Sequence, residues 1–474
     1  MKVGFVSLGC PKNLVDTEVM MGQLAASGHQ LTARPEDADV IVVNTCSFLD
    51  PAKQESVDTI LEMSEYKKTG RARKLIVAGC LVERYRGDIL KDLPEVDALV
   101  GTNELDRIVA LCDGEAGQAG APEPYLYHDL TPRVLSTPGH FAYIKISEGC
   151  DHPCSFCVIP QYRGANRSRR PESVIAEAKR LFAGGVREVN LIGQDTTAYG
   201  EDLGIRDGLA ELLARLAAIE TPEAKWIRFL YAYPNRVTQR LLDTLAAHES
   251  LVKYIDIPLQ HASASVLKRM KRGGHGDAFL KLLERMRSTV PGISIRTSFI
   301  VGFPGETEAD FAELCSFVES AKFDRLGVFG FSDEDTAASF QLEGKVDGRT
   351  IYNRKRRLMA FQKKISRRNL RAMAGREVAV LVEGPSAQSE LVWECRLTGQ
   401  APEIDGVCYV NDFEGIAPAA GQIRTLRITE THDYDLVGTL TSRILANAAP
   451  RPASELFPIL TGRRPEATLV PALA

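Results

Sequence analysis

Between Phe141 and Phe331 six short apolar runs alternate with helical patterns, and this repeat constrains the fold more than any other feature. The runs are FAYIKIS, EVNLIG, WIRFLYAY, YIDIPLQ, SIRTSFIVGF and RLGVFGF. Patterns such as PESVIAEAKRLFAGG, GLAELLARLAAI, TQRLLDTLAAH, FLKLLERMRSTV and EADFAELCSFVESAK lie between them. A helix after each strand returns the chain to the same end of the sheet, so the strands can lie parallel. Six such units make a partial (β/α)6 barrel, short of the closed eight-unit form.

Residues 1–112 alternate in the same way. VGFVSLG, ADVIVVNTCSF, KLIVAGCLV and DALVGT read as four strands, with amphipathic helices NLVDTEVMMGQLAASG and AKQESVDTILEMSEYKK after the first two. Strands apolar throughout predict a parallel sheet covered on both faces. DGEAGQAGAPEP marks 113–138 as a linker, and the barrel occupies 139–348. RTIYNRKRRLMAFQKKISRRNLRAMA predicts a basic connecting helix over 349–375. In 376–440 the pattern changes to EVAVLVEG, LVWECRLTG, GVCYVND and IRTLRITETH, which suits a small β-barrel. The tail, 441–474, is rich in Ala, Pro and Arg and is expected to hold little order beyond a short helix. The fold class is α/β.

The chain carries 44% hydrophobic and 25% charged residues, the balance of a soluble globular protein. A net charge of −4 excludes bulk affinity for nucleic acid, so charge must be read domain by domain. MKVGFVSLGC is too short for a signal-peptide core, and no apolar run reaches the roughly 18 residues of a membrane span. A cytoplasmic protein is expected. There, ten cysteines point to metal ligands or buried thiols rather than disulfides.

Cys150, Cys154 and Cys157 form CxxxCxxC in EGCDHPCSFCVIPQYRG, directly after the first barrel strand. Parallel α/β architectures bind ligands at that strand edge. Three thiolates hold three irons of a 4Fe-4S cluster and leave the fourth iron open. A structural zinc site takes a fourth Cys or His, and His152 inside the loop keeps zinc open by composition. Cys10, Cys46 and Cys80 are far apart in sequence, yet each follows a strand: SLGC, VVNTC and VAGC. Parallel strands bring those ends to one edge, so the three thiols are expected to converge on a second cluster. Cys112, Cys315, Cys395 and Cys408 show no partner pattern and read as buried thiols.

The CxxxCxxC loop on a six-unit barrel resembles the radical S-adenosylmethionine (SAM) superfamily. With three further cysteines in an N-terminal domain and a terminal β-barrel, residues 1–440 resemble the methylthiotransferases. SLGCPKNLVDTE, VVNTCSF, VAGC, LIGQDTTAYG, IDIPLQHAS, VLKRMKR and TSFIVGFPGETEADF carry that resemblance beside the cysteine loop. It implies an OB-like TRAM domain as the terminal barrel and two 4Fe-4S clusters. It also implies one SAM as the source of a 5′-deoxyadenosyl radical and one as methyl donor. A low-potential electron donor such as flavodoxin or ferredoxin is implied too, with a monomeric enzyme and an unassigned sulfur source.

Two branches of that family differ in substrate: the β-carbon of an aspartate in ribosomal protein uS12, or an adenosine of tRNA. GCPKNLVDTE and YIDIPLQHAS resemble the uS12 branch, whose substrate is met either free or on the ribosome. Residues 376–440 hold four Arg, no Lys and eleven Asp or Glu, a net of −7. Such a module repels a phosphate backbone and suits a basic protein partner. The basic helix either touches RNA or pairs with this acidic barrel.

The resemblance also implies a SAM pocket along the C-terminal edge of the barrel. Phe156 is expected against the adenine, with Gly193, Gln194 and Asp195 at the end of the second strand. Gln260 and His261 end the fourth, with a structural role for His261 equally open. Gly302, Pro304 and Gly305 end the fifth. Arg163, just after the cysteine loop, is placed to neutralise cluster charge.

Overall fold

The computed structural model describes residues 1–114 and 125–448. Its first sheet is built from β1 (Lys2–Ser7), β2 (Gln30–Thr32), β3 (Val40–Thr45), β4 (Lys74–Gly79) and β5 (Ala98–Val100). They pair in parallel in the order β2-β1-β3-β4-β5. The connecting helices are α1 (Pro11–Ala26), α2 (Asp50–Ser64), α3 (Tyr66–Thr69), α4 (Cys80–Asp92) and α5 (Ile108–Asp113). Alternate strand residues go to opposite faces. Val40, Val42, Ile76 and Ala78 bury with α1 and α5; Ile41, Val43, Leu75 and Val77 bury with α2 and α4. Strand β2 adds to the four expected, because three residues on a sheet edge are too few to show a period. The strand order reverses between β1 and β3, which opens a crevice beyond the C-terminal ends of those two strands.

Helix α1 is buried on nearly all sides and is not the half-exposed helix that its sequence suggests. Its Val15 and Val19 share a core with Tyr143, Tyr231 and Tyr254 of the second domain and Leu381 and Ile423 of the third. One apolar cluster therefore joins all three domains.

The second domain contains all six expected parallel strands. They are β6 (Phe141–Lys145), then, past the two-residue ribbon β7 (Ser147–Glu148) and β8 (Arg167–Ser168), β9 (Glu188–Ile192), β10 (Trp226–Phe229), β11 (Tyr254–Asp256), β12 (Ser294–Val301) and β13 (Arg325–Gly330). Two halves, β6-β9-β10 and β11-β12-β13, meet through an Ile227–Leu251 bridge. The outer layer is α6 (Ile159–Arg163), α7 (Pro171–Ala183), α8 (Gly208–Ala217), α9 (Gln239–Ala247), α10 (Ala264–Arg269), α11 (Gly276–Thr289), α12 (Glu308–Ala321) and α13 (Gly348–Arg371).

Three expected boundaries change. Helix α13 is no mere connector: its Leu358 and Ile365 belong to the barrel core, and Gln362 Nε2 donates to Phe323 O at 2.9 Å. It is the helix that covers β13. On its outer face Lys363 and Arg367 pair with Asp433 of the terminal barrel, at 2.7 and 2.9 Å. Pairing within the chain therefore occurs.

The linker is also more than a tether. Residues 115–124 lie outside the described residues, but Tyr127, Leu135 and Thr137 are buried. Arg133 joins Glu18 of α1 to Glu177 of α7 through hydrogen bonds of 2.5 and 2.6 Å.

The terminal barrel closes with a strand that begins inside its expected range and runs past the expected end at 440. β14 (Glu377–Ser386), β15 (Ser389–Leu397), β16 (Cys408–Phe413), β17 (Ile423–Thr431) and β18 (Leu436–Ala446) form a closed barrel in the order β14-β15-β16-β18-β17. Strand β18, LVGTLTSRILA, alternates too weakly to be read alone. Its hydrogen bonds to β17 and β16 make it a strand. The rest of the expected tail, from 449, lies outside the described residues.

Part of the acidic character of this barrel is spent inside the chain. Arg396 links Glu383 to Glu188 of β9, Tyr143 donates to Glu403 at 3.0 Å, and Tyr254 donates to Asp405 at 2.8 Å. Among the described residues, no helix is long and apolar enough to cross a membrane.

Candidate active site

Glycine places the cysteines. Gly9, Gly79 and Gly149 each stand immediately before a predicted ligand, Cys10, Cys80 and Cys150, and have φ of +86°, +94° and +87°. This left-handed conformation turns the chain sharply past a strand end, and side chains adopt it reluctantly. A Cβ on Gly149 would sit 2.1 Å from Ala165 O, so space as well as torsion requires glycine there. Cys46 follows β3 directly and is close enough that a Cβ on Gly9 would lie 3.0 Å from its Sγ.

All six predicted ligands line one cavity of about 180 Å³ between the first two domains. Phe156, Gln194, Asp195, Gln260 and Arg163 line it too. Gly193, His261, Gly302 and Gly305 are not on its wall. A Cβ on Gly193 would lie 2.6 Å from Ser147 Oγ, one on Gly302 would lie 2.2 Å from Ile351 of α13, and one on Gly305 would lie 3.1 Å from Arg269 Nε. These glycines allow close packing behind the wall. His261 is fully buried; its Nδ1 accepts from Ser263 N–H at 3.0 Å and its Nε2 lies 3.7 Å from Glu306.

The loop between Cys150 and Cys157 is held at several points. Gln194 Oε1 accepts from Gly149 N–H at 2.9 Å, and Ser155 donates from its backbone to Met270 O at 3.0 Å. His152 lies 2.6 Å from Asp195 and stacks on Tyr233, with ring centroids 3.6 Å apart. Arg272 covers Tyr233 and lies 3.4 Å from Cys154 Sγ.

Arg163 crosses between the triads. Its Nη1 donates to Glu148 at 2.9 Å and Asp16 at 3.2 Å; its Nη2 donates to Asn13 at 2.6 Å and lies 3.4 Å from Cys80 Sγ. Lys145 bonds the same two carboxylates. Burial works against ionising Glu148, but Arg163 and Lys145 outweigh it and hold the carboxyl well below its usual range.

Sequence reasoning missed Lys12, Tyr231, Tyr233, Arg272 and Ser298, which also line the cavity. The strand-end rule was sufficient for two of them, since Tyr231 and Tyr233 follow β10 as Gln194 follows β9. Tyr231 and Gln260 are non-glycine residues at φ +66° and +71°, and both face this cavity. Such backbone persists only where its surroundings enforce it, and it clusters at functional sites. Elsewhere Cys395 and Cys408 lie opposite each other on β15 and β16 as buried free thiols.

The donor set fits iron–sulfur clusters. Burial, reinforced by Cys80 and Cys10, pushes the Cys46 thiol up to about 12, and burial raises Cys157 to about 12 and Cys150 to about 11. Crowded, desolvated thiols of this kind become ligands when a cation replaces their protons. His152, which would close a zinc site at the CxxxCxxC loop, is held by Asp195 at 2.6 Å instead. A cluster spreads its thiolates over separate irons.

Comparison with known proteins agrees with this layout. Family models match at 2–101 (Uncharacterized protein family UPF0004), 144–318 (Radical SAM superfamily) and 374–441 (TRAM domain). A ribosomal protein uS12 methylthiotransferase RimO of Solibacter usitatus is 73% identical over 95% of this chain and 96% of its own length. The Koribacter versatilis protein of the same name is 56% identical over 93% and 96%. The radical SAM methyltransferase TsrM of Kitasatospora setae shares the fold, with a TM-score of 0.52 at 15% identity over 69% of this chain and 72% of that one. The chain belongs to the ribosomal protein uS12 methylthiotransferase family.

Proposed function

We propose that this protein attaches a methylthio group to the β-carbon of an aspartate in ribosomal protein uS12. One observation carries the reading beyond family membership: cysteines from two domains, three from each, line a single cavity. Cys150, Cys154 and Cys157 would hold a 4Fe-4S cluster with one iron open to SAM, and Cys10, Cys46 and Cys80 an auxiliary 4Fe-4S cluster. When bound, these groups would support formation of a 5′-deoxyadenosyl radical from one SAM and insertion of sulfur from an unassigned source, with a second SAM giving the methyl group.

The chain's own residues position and shield. Gln194 also donates to Glu148 at 2.6 Å, so it ties the entry of the cysteine loop to the buried ionic network. Phe156, Gln194, Asp195 and Gln260 are proposed as the SAM contacts. Gly193, His261, Gly302 and Gly305 shape that pocket from behind. Phe156, Tyr231 and Tyr233 exclude water from the space between the triads, where a carbon radical must not be quenched. Arg163 balances thiolate charge beside Cys80. A low-potential donor such as flavodoxin or ferredoxin delivers the electron to a cytoplasmic monomer.

Mass spectrometry of uS12 and of tRNA nucleosides from a strain lacking this gene tests the reading. Loss of methylthio from uS12 alone is expected. Loss from tRNA alone overturns the substrate and leaves the tRNA adenosine reading.

A further inference from the structure

Four basic side chains line the cavity, and three are already engaged. Arg163 is neutralised by Glu148 and Asp16. His152 is held by Asp195. Arg272 donates to Pro258 O at 2.8 Å and lies against Cys154. Lys12 differs. It is 9% exposed, its Nζ lies 3.4 Å from the centre of the Tyr231 ring, and it pairs with no carboxylate among the described residues.

A ring face attracts an ammonium but does not replace a counter-ion. Cys10, whose thiolate would be committed to the auxiliary cluster, and Tyr231 are the acidic groups that act on Lys12, and no carboxylate meets it, so the place suits a carboxylate brought from outside the chain. The platform beneath it is enforced. Tyr231 is left-handed at φ +66°, with its N–H donating to Asp256 at 3.2 Å and its carbonyl accepting from Thr196 N–H at 3.0 Å. Lys12 itself is fixed near the start of α1, two residues past Cys10.

We propose that Lys12, seated on Tyr231, forms a carboxylate-binding subsite that takes the side-chain carboxylate of the substrate aspartate. This rests on the proposed uS12 reading. The carboxylate carbon is bonded directly to the β-carbon, so gripping the carboxylate fixes the reacting atom within one bond of its anchor. The subsite lines the cavity that both triads share, where a carbon must sit to meet both the radical source and the sulfur. It also selects chemistry, because an asparagine presents no charge to Lys12.

The test uses the cluster-loaded protein and recombinant uS12 carrying either the target aspartate or asparagine there. Affinity is read by calorimetry, alongside iron content and the visible spectrum. Wild type is expected to favour the aspartate form. Lys12→Met should weaken that form by about 30-fold or more, the consequence of removing one partner of a buried charge pair. It should bind both forms alike while keeping its iron and spectrum, and Lys12→Arg should restore part of the preference. If Lys12→Met keeps the preference, the subsite is wrong. If it loses iron instead, Lys12 serves the cluster of Cys10, Cys46 and Cys80, and the subsite is wrong too. If wild type binds neither form of uS12, the substrate reading itself falls, and the subsite with it.

Discussion

Arg163 and Cys80 come from different domains, and the guanidinium of the first lies 3.4 Å from the sulfur of the second. Arg163 follows the CxxxCxxC loop in sequence; Cys80 opens a helix of the N-terminal sheet. The residue after one proposed cluster thus reaches the ligands of the other. Arg163→Met leaves Glu148 and Asp16 buried with Lys145 alone. Removing one partner of a buried pair costs about 3–5 kcal/mol, so the urea midpoint should fall clearly. Arg163→Lys should recover less than half, because an ammonium does not span both carboxylates as the fork does. Unchanged midpoints in both variants would sink this account.

The two triads should fail separately. Under the proposed two-cluster arrangement, Cys154→Ala is expected to retain roughly half the iron and lose SAM cleavage, since Cys154 would be a ligand of the SAM-binding cluster. Cys46→Ala should also keep roughly half the iron, and the cleavage of SAM with it, but lose methylthiolation. Iron and sulfide assays with a SAM-cleavage assay decide this. Full iron in Cys46→Ala would reduce the two-cluster arrangement to one.

Gly149→Ala tests how the loop is placed. The new Cβ would meet Ala165 O at 2.1 Å and would force a side chain into the left-handed region. Such strain costs about 1–3 kcal/mol before the clash is counted. The protein should lose iron from the Cys150 triad and unfold at lower urea. Wild-type iron and stability would show that the backbone relaxes freely here.

Acid should loosen the terminal barrel. Burial tends to raise the pKa of Glu383, but Arg396 and His140 outweigh it and hold the carboxyl at about 2. Its folded pKa is below the unfolded value of about 4.3, so its stabilisation is present above that pH and is lost as the pH falls toward 2. Glu383 lies 2.5 Å from His140 and 2.8 Å from Arg396, which also reaches Glu188 on β9. The thermal midpoint should therefore drop across this window. Glu383→Gln should show a shallower drop; equal slopes would remove Glu383 from the explanation.

The sequence by itself determined the local elements and the strand ends at which the six cysteines stand. Apolar runs such as VIVV and LIVA, alternating with helical patterns, specify parallel strands wherever both faces are buried. Cys10, Cys46 and Cys80 were legible as one group because strand direction alone carries their positions to a common edge. Short or mixed strands were not legible. QLT at β2 and LVGTLTSRILA at β18 gain their structure from hydrogen bonds to distant partners. Only the tertiary structure decided what lies between the triads. Lys12 reads in sequence as an ordinary first-turn lysine, and Tyr231 as a strand aromatic. Packing α1 against the barrel mouth buries both and sets the ammonium on the ring. That contact spans more than two hundred residues, and no periodicity encodes it: burial of a charge depends on which surfaces meet, and that is settled by the whole fold.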